Sequence, residues 1–351
     1  MTPLAALLLD RIRATGPLTL AEFMAEALLH PRHGYYVTRD PLGAAGDFTT
    51  APEISQMFGE LLGLWLAQAW LDQGAPAPFV LAEPGPGRGT LMADLWRATA
   101  RVPGFHQAAR LHLVEASPVL RARQRAALAG VEVAWHDSVE ALPEGPLFLV
   151  ANEFLDALPI RQFRRAGPGW REVMVAESGG RLAFALAPPA RLAALAHRLA
   201  DTAEGEVVEI CPAAQSVVAT LAARIRRQGG AALIADYGGW HSRGDTFQAL
   251  RGQGFADPLA APGEADLTAH VDFEPLAAQP GLRACYTTQG AFLLRLGLAQ
   301  RAAALAAGLS GAALESHREA SRRLTDPARM GSLFKILSLT PETAPEPPGF
   351  A

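Results

Sequence analysis

Three short stretches of the sequence place chemically capable side chains where a fold would gather them. The first reads Glu83-Pro84-Gly85-Pro86-Gly87-Arg88-Gly89-Thr90 and follows the apolar run Phe79-Val80-Leu81-Ala82. Its pattern is acid-x-G-x-G-x-G, and glycines there let the backbone turn tightly and come close to a ligand. A nicotinamide dinucleotide site asks for G-x-G-x-x-G and an acid about 20 residues further on. Here Thr90 occupies the third glycine position, and the next strand-end acid, Glu115, lies 28 residues beyond Gly87. Both features oppose a nicotinamide oxidoreductase. The second stretch, Asn152-Glu153-Phe154-Leu155-Asp156, follows the apolar run Leu147–Ala151. In an open α/β sheet, ligands sit beyond the carboxyl ends of strands near the switch point, so these polar residues should face the glycine loop. Asp156 also fits the first turn of a helix, which the macrodipole would favour. In the third stretch, Glu264–Phe273, Asp266 and His270 stand four apart and are expected to share a helix face, with His270 a candidate for proton removal. Asp266, His270 and Asp272 have no Cys or second His nearby, so no metal is expected.

These stretches need elements to hold them. Residues 1–75 read as a helical, lid-like region with one long loop. Thr19 and Glu22 suit a capping box for a helix carrying Leu20, Phe23, Met24 and Ala27. A Gly- and Pro-rich loop from Pro31 to Pro52 contains Tyr35, Tyr36, Asp47 and Phe48, and its length suggests a functional segment. A helix with Ile54, Met57, Phe58, Leu61, Leu62 and Trp65 on one face follows. From residue 78, strands at Phe79–Ala82, Leu111–Val114, Val131–Trp135, Leu147–Ala151 and Ala231–Ala235 alternate with helices at 89–101, 117–129 and 213–228, which predicts a doubly wound parallel sheet. Arg161–Arg165, Trp170–Ala176 and Arg181–Leu186, separated by glycine turns, predict an antiparallel β insertion. The last sheet elements are expected at Ala284–Thr288 and Phe334–Ser338. The expected organisation is therefore a core of 76–160 and 205–340, an insertion at 161–204 suited to substrate or partner contact, and a loose Pro-rich tail at 341–351.

Composition narrows the setting. Half of the residues are hydrophobic, and the formal net charge of −4 argues against a nucleic-acid partner. Cys211 and Cys285 match no zinc or CxxC spacing, which favours free thiols in a reducing, cytoplasmic setting. The apolar run at 291–309 is broken by Arg295, Gln300 and Arg301, so no membrane insertion is expected. Lys335 is the only lysine and Asn152 the only asparagine. Codon bias explains their scarcity but not where the survivors sit.

The glycine loop with Glu83 before it and Glu115 at the next strand end resembles class I S-adenosyl-L-methionine (SAM) methyltransferases. In those enzymes the second-strand acid accepts hydrogen bonds from the ribose hydroxyls, a task suited to a group with several lone pairs and no donor. The chain more specifically resembles the MidA-like methyltransferases, a family that includes mitochondrial complex I assembly-factor protein arginine methyltransferases and bacterial relatives. The blocks that carry the likeness include Pro31–Tyr36, Gly46–Ser55, Glu83–Met92, Val114–Pro118, Asn152–Pro159, Asp236–Gly238, Gly263–Phe273 and Met330–Lys335, in order over nearly the whole chain. Pro84 departs from the aliphatic residue more usual there and requires that no strand hydrogen bond need its N–H.

The resemblance implies a Rossmann-like, seven-stranded sheet with an N-terminal helical extension, SAM as cofactor and S-adenosyl-L-homocysteine as product. Glu83, Gly85, Gly87, Gly89, Thr90, Glu115, Asp137 and Asn152 are the expected cofactor residues, Asp137 near the adenine amino group or as a helix cap. An arginine acceptor, dimethylated symmetrically by the mitochondrial members in a complex I subunit, carries its own charge, which carboxylates bind bidentately. Glu153 is the first candidate for that role, then Asp156, with Asp47 and His270 as further catalytic candidates. A protein partner presenting arginine is expected, and a homodimer is left open. The alternatives are a non-catalytic SAM-binding assembly factor and a methyltransferase with a small-molecule acceptor.

Overall fold

The computed structural model describes residues 1–38, 49–252 and 254–350. Its seven principal strands are β1 (Phe79–Pro84), β2 (Ala109–Val114), β3 (Val133–His136), β4 (Leu147–Asn152), β5 (Gly230–Gly239), β6 (Leu282–Thr288) and β7 (Phe334–Pro341). They form one sheet in the order β3-β2-β1-β4-β5-β7-β6. The first five are parallel, whereas β7 runs antiparallel to both of its neighbours. All residues of β1 and β4 are buried, which is why both read as unbroken apolar runs. Pro84 ends β1, and the ladder passes to Gly85, whose N–H donates to Val114 O at 3.0 Å.

The helices that matter here are α1 (Pro3–Thr15), α2 (Leu20–Leu29), α3 (Gln56–Asp72), α4 (Thr90–Thr99), α5 (Pro118–Ala127) and α6 (Pro212–Gln228). On one side of the sheet Phe58, Leu62 and Trp65 of α3 and Leu91 and Leu95 of α4 pack with Phe79, Leu81 and Phe148. On the other, Val218, Leu221 and Ile225 of α6 pack with Val80, Leu149 and Ile234. Alternate residues of each strand thus feed two cores, the signature of a doubly wound α/β sheet. The capping box on α2 forms as expected, with Thr19 N donating to Glu22 Oε2 at 2.8 Å and Glu22 N to Thr19 Oγ1 at 3.1 Å. Ile54 falls in a separate short helix, Ala51–Ile54, because Ser55 is extended and caps α3.

A cap is built from the chain's other parts. The three predicted insertion strands form at Arg161–Ala166, Gly169–Ser178 and Arg181–Leu186. A further strand, Val207–Ile210, pairs with Arg161–Arg164, so the insertion sheet runs past the expected boundary at 204. A second small sheet joins Gln248–Arg251, Gly254–Ala256 and Asp266–Thr268. Helices α1 and α2 pack onto both sheets through Leu4, Leu8, Phe23, Val175 and Leu267.

Two expectations are corrected. Asp266 and His270 do not share a helix: Asp266 opens a strand hydrogen-bonded to Gln248–Leu250, and His270 follows that strand. Residues four apart also share a face at the two-residue period of a strand, and here cross-strand pairing decides. The Pro-rich tail is not loose. Trp65 Nε1 donates to Pro348 O at 3.0 Å, and Phe350 packs with its ring tilted 5.1 Å from that of Phe292, because an aromatic side chain rewards docking however many prolines precede it. No helix among the described residues is long and apolar enough to cross a membrane.

Candidate active site

The order of the sheet reverses at β1, so the loops leaving β1 and β4 diverge and open a crevice between them. A cavity of about 700 Å³ fills it, bounded by strand ends on one side and by the cap on the other. One end of this cavity is the glycine loop. Gly85, Gly87 and Gly89 have φ of +61°, +53° and +84°. A Cβ on Gly85 would meet Phe154 Cδ2 at 2.8 Å, and one on Gly89, which caps α4, would lie 3.3 Å from Gln124 Cα. The loop is therefore both conformationally and sterically reserved for glycine.

Two acids flank the loop. Glu83 is buried, its Oε2 has no partner, and burial followed by the nearby Glu115 carboxylate raises it to about 8. Glu115 is also raised by burial, but it is well supported. Ser117 N donates to its Oε1 at 2.8 Å and Gln124 Nε2 to its Oε2 at 3.0 Å. Gln124 also donates to Gly87 O at 2.8 Å and accepts from Trp135 Nε1 at 2.9 Å, so one amide ties the loop, the acid and β3 together. Asp137 stands at the exposed edge, paired with Arg121 at 2.6 Å. Thr90 Oγ1 donates to Glu53 Oε1 at 2.5 Å, which fastens the N-terminal region to the loop.

The other end is acidic. Glu153 has φ +49°, one of two described non-glycine residues in the left-handed region. Its N–H donates to Ala235 O at 2.9 Å, while its Oε1 accepts from Ala51 N at 3.1 Å and Asn152 Nδ2 at 3.2 Å. Burial, then the neighbouring Asp156 charge, raises Glu153 to about 8. Asp156 is buried with Oδ1 unpartnered, and burial raises it to about 6 against the opposing pull of the Tyr237 hydroxyl. Beneath them Asp236, fully buried, accepts from Leu155 N at 2.9 Å, Asp156 N at 3.3 Å and Tyr237 N at 2.9 Å. It fixes the turn that carries both acids. From the cap, Asp266 accepts from Tyr36 Oη at 2.7 Å and lies close enough to Glu153 to oppose its ionisation. His270 stands edge-on to Tyr237 at 5.4 Å, its imidazole kept neutral by burial and by the nearby Lys335 ammonium.

Glu83, Gly85, Gly87, Thr90, Glu115, Asp137, Asn152, Glu153, Asp156 and His270 all line this cavity. Gly89 shapes the loop from behind, and Asp47 and Phe48 lie outside the described residues. Sequence reasoning passed over Gln124, whose signal is a lone polar residue on the buried side of α5, and the Tyr36–Asp266 pair, joined across 230 positions. A SAM-sized ligand suits the loop end: Gly85 and Gly87 line the cavity there, and buried Glu83 Oε2 and Asn152 Oδ1 await donors.

Known proteins resemble this chain over most of its length. Residues 61–288 match a family described as putative S-adenosyl-L-methionine-dependent methyltransferases. The chain is 38% identical to the mitochondrial protein arginine methyltransferase NDUFAF7 of Danio rerio, over 95% of this chain and 85% of that protein. It is 36% identical to the Homo sapiens protein of the same name, over 97% and 84%. A Burkholderia thailandensis structure bound to S-adenosyl-homocysteine is 32% identical, with a TM-score of 0.83 over 96% of this chain and 91% of that one.

Proposed function

We propose that this chain, which belongs to that S-adenosyl-L-methionine-dependent methyltransferase family, methylates arginine side chains of a protein substrate. SAM dependence is the family's shared property, and the likeness to a structure bound to S-adenosyl-homocysteine extends over nearly the whole chain. The observation that carries the acceptor assignment is the acidic end of the cavity. Glu153, Asp156 and Asp266 converge there, and among the described lining residues the only Lys or Arg is Arg88, in the glycine loop. Glu153 and Asp156, buried side by side, repel one another, and a planar guanidinium relieves that repulsion while satisfying several oxygens at once. The names of the relatives support the same acceptor.

In this reading Gly85, Gly87 and Gly89 shape the loop, while Glu83, Glu115, Asp137, Thr90 and Asn152 hold SAM, with Glu115 accepting from its hydroxyls. When bound, SAM supplies an electrophilic methyl group: the N–C bond forms as the C–S bond breaks, its electrons pass to sulfur, and the nitrogen's proton must leave. Glu153 and Asp156 orient the guanidinium, and Glu153 takes that proton. Asp236 is a positioning residue, since it touches only the turn. His270, neutral at the edge of the site, offers the proton a second acceptor. A subunit of respiratory complex I as the acceptor is a finer proposal that rests on the family resemblance, and the cytoplasm as the compartment is one that rests on the two free thiols.

The test uses purified enzyme, methyl-labelled SAM and matched acetylated peptides that differ only in arginine or lysine. Label in the arginine peptide alone is the expected result. Equal labelling of both peptides, or of the lysine peptide only, contradicts the assignment.

A further inference from the structure

In the small cap sheet, Leu250 pairs with Asp266 on one side and with Phe255 on the other. Residues directly opposite one another in antiparallel strands point to the same face, so Asp266, Leu250 and Phe255 form one row. All three line the active-site cavity, whereas the adjacent Ala249–Leu267 pair faces the core under α2. The row runs from inside to outside: Asp266 is 3% exposed, Leu250 is half-buried and Phe255 is 81% exposed. At about 4.8 Å between strands, Phe255 stands roughly 10 Å from the acid. The ring of Phe255 thus stands in water at the mouth of a cavity with an acidic end, where a free small guanidine bound at that end would not reach it.

We propose that this row reads the acceptor as a polypeptide, with the arginine at Asp266 and a large apolar neighbour of that arginine seated on Leu250 and Phe255. The inference rests on the arginine-acceptor reading and adds the sequence context of the arginine. Charge complementarity fixes the inner end of the track, and the exposed apolar surface fixes the outer end. The occupant is therefore a flexible segment of a protein partner with arginine beside leucine, phenylalanine or a similar side chain.

The test compares wild type with Phe255→Ser on two acetylated arginine peptides, one with leucine flanking the arginine and one with serine. Peptide binding is read by fluorescence anisotropy and turnover by methyl transfer. Wild type should favour the leucine peptide about tenfold in Kd and KM, the effect of burying one large apolar side chain. Phe255→Ser should reduce that preference to within about twofold, by weakening the leucine peptide more than the serine peptide. Equal affinity of wild type for both peptides, or a preference that survives Phe255→Ser, overturns the inference while leaving arginine as the acceptor. So does a change in self-association with peptide binding unaltered. Methylation of neither peptide, with SAM binding intact, contradicts the parent reading and this inference together.

Discussion

Glu115 at one end of the cavity and the acids at the other are held in opposite ways. At the glycine loop, Glu115 receives Ser117 N and Gln124 Nε2, so most of its capacity is met by donors belonging to the protein. At the far end, Glu153, Asp156 and Asp266 face one another, and Asp156 retains a buried oxygen without a donor. The first arrangement suits neutral hydroxyls and a ligand recognised by shape. The second leaves negative charge in a desolvated place, which suits a cation. In the proposed reading the difference keeps cofactor and acceptor apart: at the loop end Glu115 is held by the protein's own donors and Glu83 Oε2 is left for the ligand, while the far end gathers acids for a cation.

The largest expected effect separates the two ends cleanly. Glu153→Gln should lower turnover on an arginine peptide by about 10³-fold while SAM affinity by calorimetry stays within about twofold. A matching loss of SAM binding would break the separation. Glu115→Ala should do the reverse, weakening SAM by about 10- to 100-fold with turnover at saturation largely kept.

The pH dependence sharpens the contrast. The acids must ionise to bind a guanidinium, and burial raises Asp156 to about 6 and Glu153 to about 8. Arginine-peptide affinity should therefore climb, by about tenfold, as pH rises from 6 to 8, with protons released on binding. Calorimetry in buffers of different ionisation enthalpy counts those protons, and no release would contradict the account. The same shift has a cost in stability. An acid raised in the folded state contributes stability below its unfolded value, near 4.5, and loses it as pH rises through about 8. Glu153→Gln removes that loss, so its Tm advantage over wild type should grow from pH 5 to pH 9 and reach a few degrees. The smallest effect is expected at the exposed rim, where Asp137→Asn should change SAM affinity by less than about threefold, since Asp137 pairs with Arg121 in solvent.

The same contrast governs what the sequence revealed. The glycine-loop end of the cavity was legible because its residues are local: a strand, a glycine turn and a strand-end acid are each contiguous in the chain. Glu153 and Asp156 were legible for the same reason, lying directly after β4. Asp266 was noticed but misplaced, because a spacing of four satisfies both helix and strand, and only pairing with Gln248–Leu250 decides between them. Tyr36 could not be assigned, since its partner is 230 residues away. The strand at Val207–Ile210 was missed because it is four residues long and has no turn signal of its own beyond Gly205. Lys335 now has surroundings: it sits opposite Asp236 and Thr288 in register, and Nζ donates to Leu333 O at 3.0 Å and to Ser332 O.

The most direct test of arginine methylation at the acidic end is the chemical identity of the labelled product. Purified enzyme and methyl-labelled SAM are incubated with protein extract from cells lacking the enzyme, and the labelled protein is hydrolysed to amino acids. The account predicts label in methylated arginine with wild type and its disappearance with Glu153→Gln. Label in another amino acid, in a small molecule, or undiminished in Glu153→Gln would contradict it.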